Sequence, residues 1–244
     1  MPHLFVNRPR AFNLKRPASD RRAQFRWETI NAMVYKVGGV MFVAGSIFFF
    51  PRFAAYESIG LWIFLAGSLL FLLVTAHDMA EALRYRRTGK NPTASALELT
   101  AAFSYLTGTL LFTLGSVLFF PSLGVAAVGT WCFLAGSLLF VVGACINVLQ
   151  IVRARNLMIL QLMNLTAISF VVGSVLFTVA TVPYLWRIRS AGDRWLIDDF
   201  VAWQFVAGSL LFLLGGLFNY LRAYLVERDI SVDLSSGSGT IKFS

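Results

Sequence analysis

Six serines, each placed directly after a glycine inside an apolar stretch, are the residues whose type and spacing come nearest to doing chemistry in this 244-residue chain. They form the pairs Gly45-Ser46, Gly67-Ser68, Gly115-Ser116, Gly136-Ser137, Gly173-Ser174 and Gly208-Ser209. A hydroxyl in such a setting has two uses. It can donate to the carbonyl four residues earlier and fill space against its own helix, or several can converge on an axis and line a narrow polar constriction. The first reading asks less of the sequence, and the second makes these twelve residues a candidate solute path.

Counting from the glycines places a second polar set. Asp78, Asn147 and Asn219 lie eleven residues after theirs, and Tyr35 and Tyr105 lie ten before. At 1.5 Å per helical residue this is about 15 to 17 Å, half the thickness of a bilayer core. Lys36, Asp78, Asn147, Asn164 and Asn219 are therefore a candidate gate at one membrane boundary. Glu28 and Glu98, seventeen before their glycines, and Arg84 and Arg153, seventeen after, share a level beyond it. A ring of interfacial ion pairs accounts for them.

Catalytic chemistry finds little support. His3 lies in a basic arm, His77 stands at a helix end, and no nucleophile elbow, phosphate loop or zinc spacing appears. Cys132 and Cys145 are thirteen residues apart on one expected helix, too far to bridge, and read as two buried thiols. Asp198-Asp199, expected to open the last helix, suit its dipole better than they make a metal cage. No acid, base or histidine sits at mid-depth, which argues against a proton pump. The expectation is a non-enzymatic chain with no cofactor and no metal.

The elements that position these residues follow from composition. With 57% hydrophobic and 14% charged residues the chain is too apolar for a soluble domain of its length. Six stretches, near 30–50, 58–77, 99–120, 124–148, 157–182 and 199–221, are long enough to cross a bilayer as helices, the conformation that satisfies its own backbone in lipid. The expected fold is all-α: a polytopic integral membrane protein of six transmembrane helices, arranged as three tandem helical hairpins with a pseudo-threefold repeat. Hairpin one spans 28–87, hairpin two 98–155 and hairpin three 156–228. Residues 1–27 form a basic, disordered arm and 229–244 a flexible tail whose SSGSG run has the composition of a linker.

The net charge of +9 is unevenly spread. Arginines and lysines concentrate in the arm and in the 2–3 and 4–5 connections, which all fall on one side. The positive-inside rule then puts both termini in the cytoplasm of a cell's inner membrane. Anionic lipid headgroups are the partner this charge implies, and nucleic acid is not expected. Pro2, Pro9 and Pro17 break the amphipathic helix that an organelle leader would need.

The repeat itself is written plainly. FLAGSLLF occurs at 64–71 and again at 133–140, with FVAGSLLF at 205–212. Further glycines recur seven apart, so each set lines one stripe of its helix. Lipid is as apolar as leucine, so helices associate there by close packing, and a stripe of missing side chains lets two backbones touch. Pro51 and Pro121 mark tight turns, whereas hairpin three has a longer connection, 183–198, carrying Trp186, Arg187, Arg189, Asp193, Arg194 and Trp195.

The unit Trp62-x-Phe64-x-Ala66-Gly67-Ser68-x-x-Phe71, repeated from Trp131 to Phe140 and from Trp203 to Phe212, resembles the YrhK-like domain, a small two-helix membrane unit. Hairpin three fits it less fully, because its first helix lacks the tyrosine and the turn proline. The three-hairpin plan is also similar to the HdeD-like acid-resistance membrane proteins. The resemblance implies location and fold and brings no activity to particular residues. Two functions are consistent with it: a membrane scaffold, accessory subunit or envelope-stress factor, working as a homo-oligomer or with another membrane protein; or a small channel or transporter for a neutral or weakly polar solute.

Overall fold

The computed structural model describes residues 18–87, 92–149, 157–186 and 190–235, with side chains at positions 29–225 of these ranges and at 228. Six α-helices account for most of it: α1 (Ala18–Ile47), α2 (Glu57–Arg86), α3 (Pro92–Leu118), α4 (Ala126–Leu149), α5 (Leu157–Thr181) and α6 (Ala191–Ser235). Short 3-10 turns at Pro51–Tyr56, Pro121–Leu123 and Val182–Leu185 join the members of each hairpin. All six helices are long and apolar enough to cross a membrane.

The helices outrun the apolar bands that announced them. α1 begins at Ala18, so the last part of the expected arm is helical, and α6 continues to Ser235, into the expected tail. α6 also starts at Ala191, which puts Asp193 in its first turn and carries Asp198 and Asp199 inside the helix instead of at its opening. A helix that has already formed extends at little cost into polar flanks, because each added residue closes one more hydrogen bond. Arg187 and Arg189 and the basic residues up to Arg16 lie outside the described residues, as do Lys90, Arg153 and Arg155.

Each helix packs on its neighbours in sequence, and α6 packs back on α1, so the six close into a ring. The closest approaches within hairpins are made by glycines. A Cβ at Gly38 would stand 3.3 Å from the Gly67 carbonyl oxygen, and one at Gly67 would stand 3.1 Å from that of Gly38. Gly45 faces Gly60 in the same reciprocal way, at 3.1 and 3.0 Å. In the second hairpin Gly108 faces Gly136 and Gly115 faces Gly129, with all four separations between 2.9 and 3.2 Å. These seams bring main chain against main chain.

Hairpin three corrects the alignment that equated all six Gly-Ser pairs. Gly173 packs on Gly208 at 3.2 Å in both directions, the contact made by Gly38 with Gly67 and by Gly108 with Gly136. It therefore stands where Gly38 and Gly108 stand, one heptad away from Gly45 and Gly115. The cause lies in α5, which has a single glycine on the seam where α1 and α3 each have two, and that glycine is used at the contact with Gly208. Seven residues further on, Ala180 and Val201 occupy the places that glycines hold in the other hairpins, and both are buried. Phe170 accordingly takes the position of Tyr35 and Tyr105, so the tyrosine that seemed missing is a phenylalanine.

The two cysteines also depart from expectation. Cys132 is half-buried and Cys145 is exposed. Trp62, Trp131 and Trp203 are exposed too, each on the outer surface of an even-numbered helix. Trp62 rests on Phe120 and Trp203 on Phe50, across the junctions between hairpins.

Candidate functional site

The ring is filled with aromatic side chains, most of them set by the repeat. The first phenylalanine of each repeated phrase comes to a common triangle: Phe64, Phe133 and Phe205 have ring centroids 5.8, 6.0 and 6.3 Å apart. The last phenylalanines, Phe71, Phe140 and Phe212, lie seven residues deeper. Phe42, Phe112 and Phe177 from the odd helices bridge the two layers, touching the upper ring of their own hairpin at 4.6, 4.8 and 5.7 Å. Their contacts with the lower ring are 4.9, 5.3 and 5.4 Å. Edge and tilted arrangements dominate, as aromatic quadrupoles prefer.

Rings from all six helices surround a void of about 10 Å³ among Phe42, Phe71, Phe112, Phe140, Phe177 and Phe212. That is roughly one water-sized probe, in surroundings too apolar to hold a water. One hydroxyl-bearing residue, Thr109, reaches this void, and its Oγ1 donates to the Tyr105 carbonyl at 2.7 Å.

The serines stand elsewhere. Ser46, Ser68, Ser116 and Ser174 donate to the carbonyls of Phe42, Phe64, Phe112 and Phe170 four residues back, at 2.6 to 3.0 Å. Ser137 donates three residues back, to Leu134, at 2.9 Å. Ser46 also meets Ser209 at 3.3 Å between α1 and α6, and Ser68 meets Ser116 at 3.4 Å between α2 and α3. Four of the six hydroxyls thus meet at the junctions between hairpins, Ser116 also lining with Thr181 a cleft beside the Phe64, Phe133 and Phe205 triangle, while aromatic rings occupy the axis. With the corrected register, Thr181 holds the place of Ser46 and Ser116 and makes the same back-bond, to Phe177, at 2.8 Å. Ser174 falls in the place of Thr109.

Below the rings, toward the chain termini, the polar set gathers. Asp78, Asn147 and Asn219 are all buried. The Tyr35 hydroxyl donates to the Phe212 carbonyl at 2.8 Å, and its ring lies where a side chain at Gly216 would be. Asn147 Nδ2 donates to the Tyr105 hydroxyl at 3.1 Å. Asp78 is near enough to both phenols for its charge to act on them, and His77 Nδ1 lies 3.9 Å from Asp78 Oδ1.

Two members of the candidate gate are placed differently. Lys36 is half-buried with its Nζ 4.1 Å from the centre of the Tyr220 ring, a cation–π contact in the groove between α1 and α6. Asn164 is exposed. Arg84 pairs with Glu81 on its own helix at 2.8 Å, while Glu98 is buried. The side chain of Glu28 and all of Arg153 lie outside the described residues.

The sequence reading missed Arg222, the largest fully buried side chain, which donates to Asn219 Oδ1 at 2.7 Å. Glu81 is buried as well, with only 8% of it exposed. Both lie fourteen residues after their glycines, three beyond Asp78 and Asn219, so the repeat itself carried the signal. Among the described residues no group of three or more His, Cys, Asp or Glu side chains could hold a metal ion.

Residues 25–83 and 95–152 match the family described as YrhK-like protein, one match on each of the first two hairpins. No curated protein and no solved structure matches the chain significantly. Hairpin three lies outside both matches, in keeping with its displaced glycine, its phenylalanine in place of tyrosine and its longer turn. The two tandem matches, on six helices of membrane-spanning length, identify the chain as a membrane protein that carries two tandem YrhK-like units.

Proposed function

We propose that this protein is a non-enzymatic, non-conducting membrane protein, acting as a scaffold, accessory subunit or envelope-stress factor. The observation that carries this reading is the aromatic axis: rings from all six helices leave a void of about 10 Å³ where a pore would need a continuous path. Buried groups at the terminal end hydrogen-bond to one another and to main chain, an arrangement that stiffens a junction between helices. The basic side, which we place in the cytoplasm of a cell with both termini, would rest on anionic headgroups of the inner membrane. Its protein partner is a second copy or another membrane protein, met through the exposed outer surface of the ring.

Reconstitution tests the reading. Vesicles containing the purified chain should release glycerol, urea and potassium no faster than protein-free vesicles of the same lipid. Saturable flux of a neutral solute, lost in Ser68→Leu or Ser116→Leu, would support the channel reading in its place.

A further inference from the structure

The turn end of the ring is not closed like its middle. Between hairpins one and three lies an open cavity of about 370 Å³, bounded by the first turn on one side and by Pro183, Tyr184, Trp186 and the start of α6 on the other, with Glu57, Tyr184 and Trp186 exposed at it. It narrows into a cleft of about 40 Å³ that shares Phe49, Glu57 and Tyr184 with it and reaches the Phe64, Phe133 and Phe205 triangle. Its origin is local. α6 begins seventeen residues before Gly208, whereas α2 and α4 begin ten before Gly67 and Gly136, so α6 rises two turns higher. At the same end, Ala180 and Val201 stand in place of the glycines that draw the other hairpins together, and Val201 lines the cavity.

The repeat also decides the charge of this cavity. Glu57, Ala126 and Asp198 are equivalent positions, each ten residues before its glycine, so two hairpins place a carboxylate at the rim and the second places none. Glu57, Asp198 and Tyr184 line the same cavity, close enough for the Asp198 charge to act on Glu57 and for both carboxylates to act on Tyr184. Arg194 acts on Asp198, while no ion pair or hydrogen bond engages the Glu57 carboxylate among the described residues. Among the lining residues two carboxylates and one guanidinium leave an excess of one negative charge, with the Arg52 guanidinium just outside, over the Phe50 ring.

We propose that this cavity binds an organic cation, with an ammonium head between Glu57 and Asp198 and an apolar body against Phe49, Tyr184 and Trp186. A bare divalent metal would want several more oxygen ligands than two carboxylates and a phenol supply. An organic ammonium wants what is present, namely carboxylates together with aromatic faces. The volume falls in the range of small-ligand sites, roughly 300 to 1,000 Å³. The carboxylates stand at the rim, on the turn side of the rings that fill the axis, so the proposal holds whether or not the axis conducts.

The ammonium could come from a soluble amine or from an ammonium-headed lipid such as phosphatidylethanolamine, and two arms separate these sources. In the first, full-length protein in detergent is titrated with benzyltrimethylammonium, and with benzyl alcohol as the neutral comparison. One saturable site per chain is expected, with the alcohol binding at least tenfold more weakly. Glu57→Gln and Asp198→Asn should each weaken the cation roughly tenfold, the factor expected for losing one close charge at about 1.4 kcal/mol. Ala54→Trp, which fills the mouth and leaves the charges in place, should abolish binding. In the second arm, native mass spectrometry of protein from mixed phosphatidylethanolamine and phosphatidylglycerol nanodiscs reads retained lipid. Preferential retention of the ethanolamine lipid, lost in the double carboxylate variant and competed by benzyltrimethylammonium, assigns the lipid source; soluble binding without that retention assigns the free amine. The proposal is overturned if neither arm shows binding. It is equally overturned if the alcohol binds as well as the cation, or if the double variant binds both ammonium probes unchanged.

Discussion

At the scale of single residues, a glycine here matters through the carbonyl it faces. Gly136 has 2.9 Å between a would-be Cβ and the Gly108 oxygen and 2.8 Å to the Phe112 ring, and the carbonyl belongs to a helix that cannot yield alone. Gly136→Val should therefore lower stability by about 1 to 3 kcal/mol, the usual range for overpacking, visible as a lower midpoint of thermal unfolding in detergent. Gly124 is the contrasting case, with φ at +65° and nothing within 4 Å of a Cβ. Gly124→Asn should cost about 1 kcal/mol at most, because the site is open and asparagine is less strained in the left-handed region than other side chains. Tyr35 makes a third test: Tyr35→Phe removes the donor to the Phe212 carbonyl and should cost about 0.5 to 1.5 kcal/mol. The ring itself should stay seated, since Phe170 already occupies the equivalent place in hairpin three.

At the scale of elements, the question is how three hairpins meet. Ser46 and Ser209 approach to 3.3 Å and Ser68 and Ser116 to 3.4 Å, so each pair replaced by cysteine should oxidise to a disulfide. The first crosslink joins α1 to α6, residues far apart in sequence, and would prove in solution that the ring closes. The displaced register of α5 makes a sharper prediction for the third junction. Ser137→Cys should crosslink with Thr181→Cys and not with Ser174→Cys, because Thr181 holds the position of Ser46 and Ser116. Gel mobility after mild oxidation, with Cys132 and Cys145 replaced by alanine, reads all of these outcomes. Efficient crosslinking of Ser137→Cys to Ser174→Cys instead would return α5 to the register in which all six Gly-Ser pairs are equivalent.

At the scale of the molecule, the aromatic axis substitutes for a hydrophobic core. Lipid gives apolar side chains little reason to leave it, so the interior is held by contact density and ring geometry more than by exclusion of water. Phe64, Phe133 and Phe205 meet one another at the axis, and no single hairpin can complete their triangle. Phe133→Ala should destabilise the assembled ring by about 3 kcal/mol or more. Because the triangle is shared, Phe64→Ala and Phe205→Ala should each cost less in the Phe133→Ala background than alone, a non-additivity that a double-mutant cycle in detergent unfolding would measure.

Much of this was legible in the chain of residues. Six membrane helices follow from the length of the apolar runs, the glycine seams follow from a spacing of seven, and the shared level of Asp78, Asn147 and Asn219 follows from counting along a helix, although not their burial. Each is a property of one helix or one hairpin, fixed by local periodicity. Sequence could not say which glycine faces which, because adjacent glycines one heptad apart offer two registers that look alike on a single helix. Contact between helices breaks that tie, and in hairpin three it chose Gly173 opposite Gly208. The same holds for the axis: the sequence repeats both serines and phenylalanines at regular intervals, and either could have faced inward. Tertiary packing turned the rings to the centre, where six helices leave room for large flat groups, and left Ser46, Ser68, Ser116 and Ser209 in the junctions, where a short side chain fits between close helices.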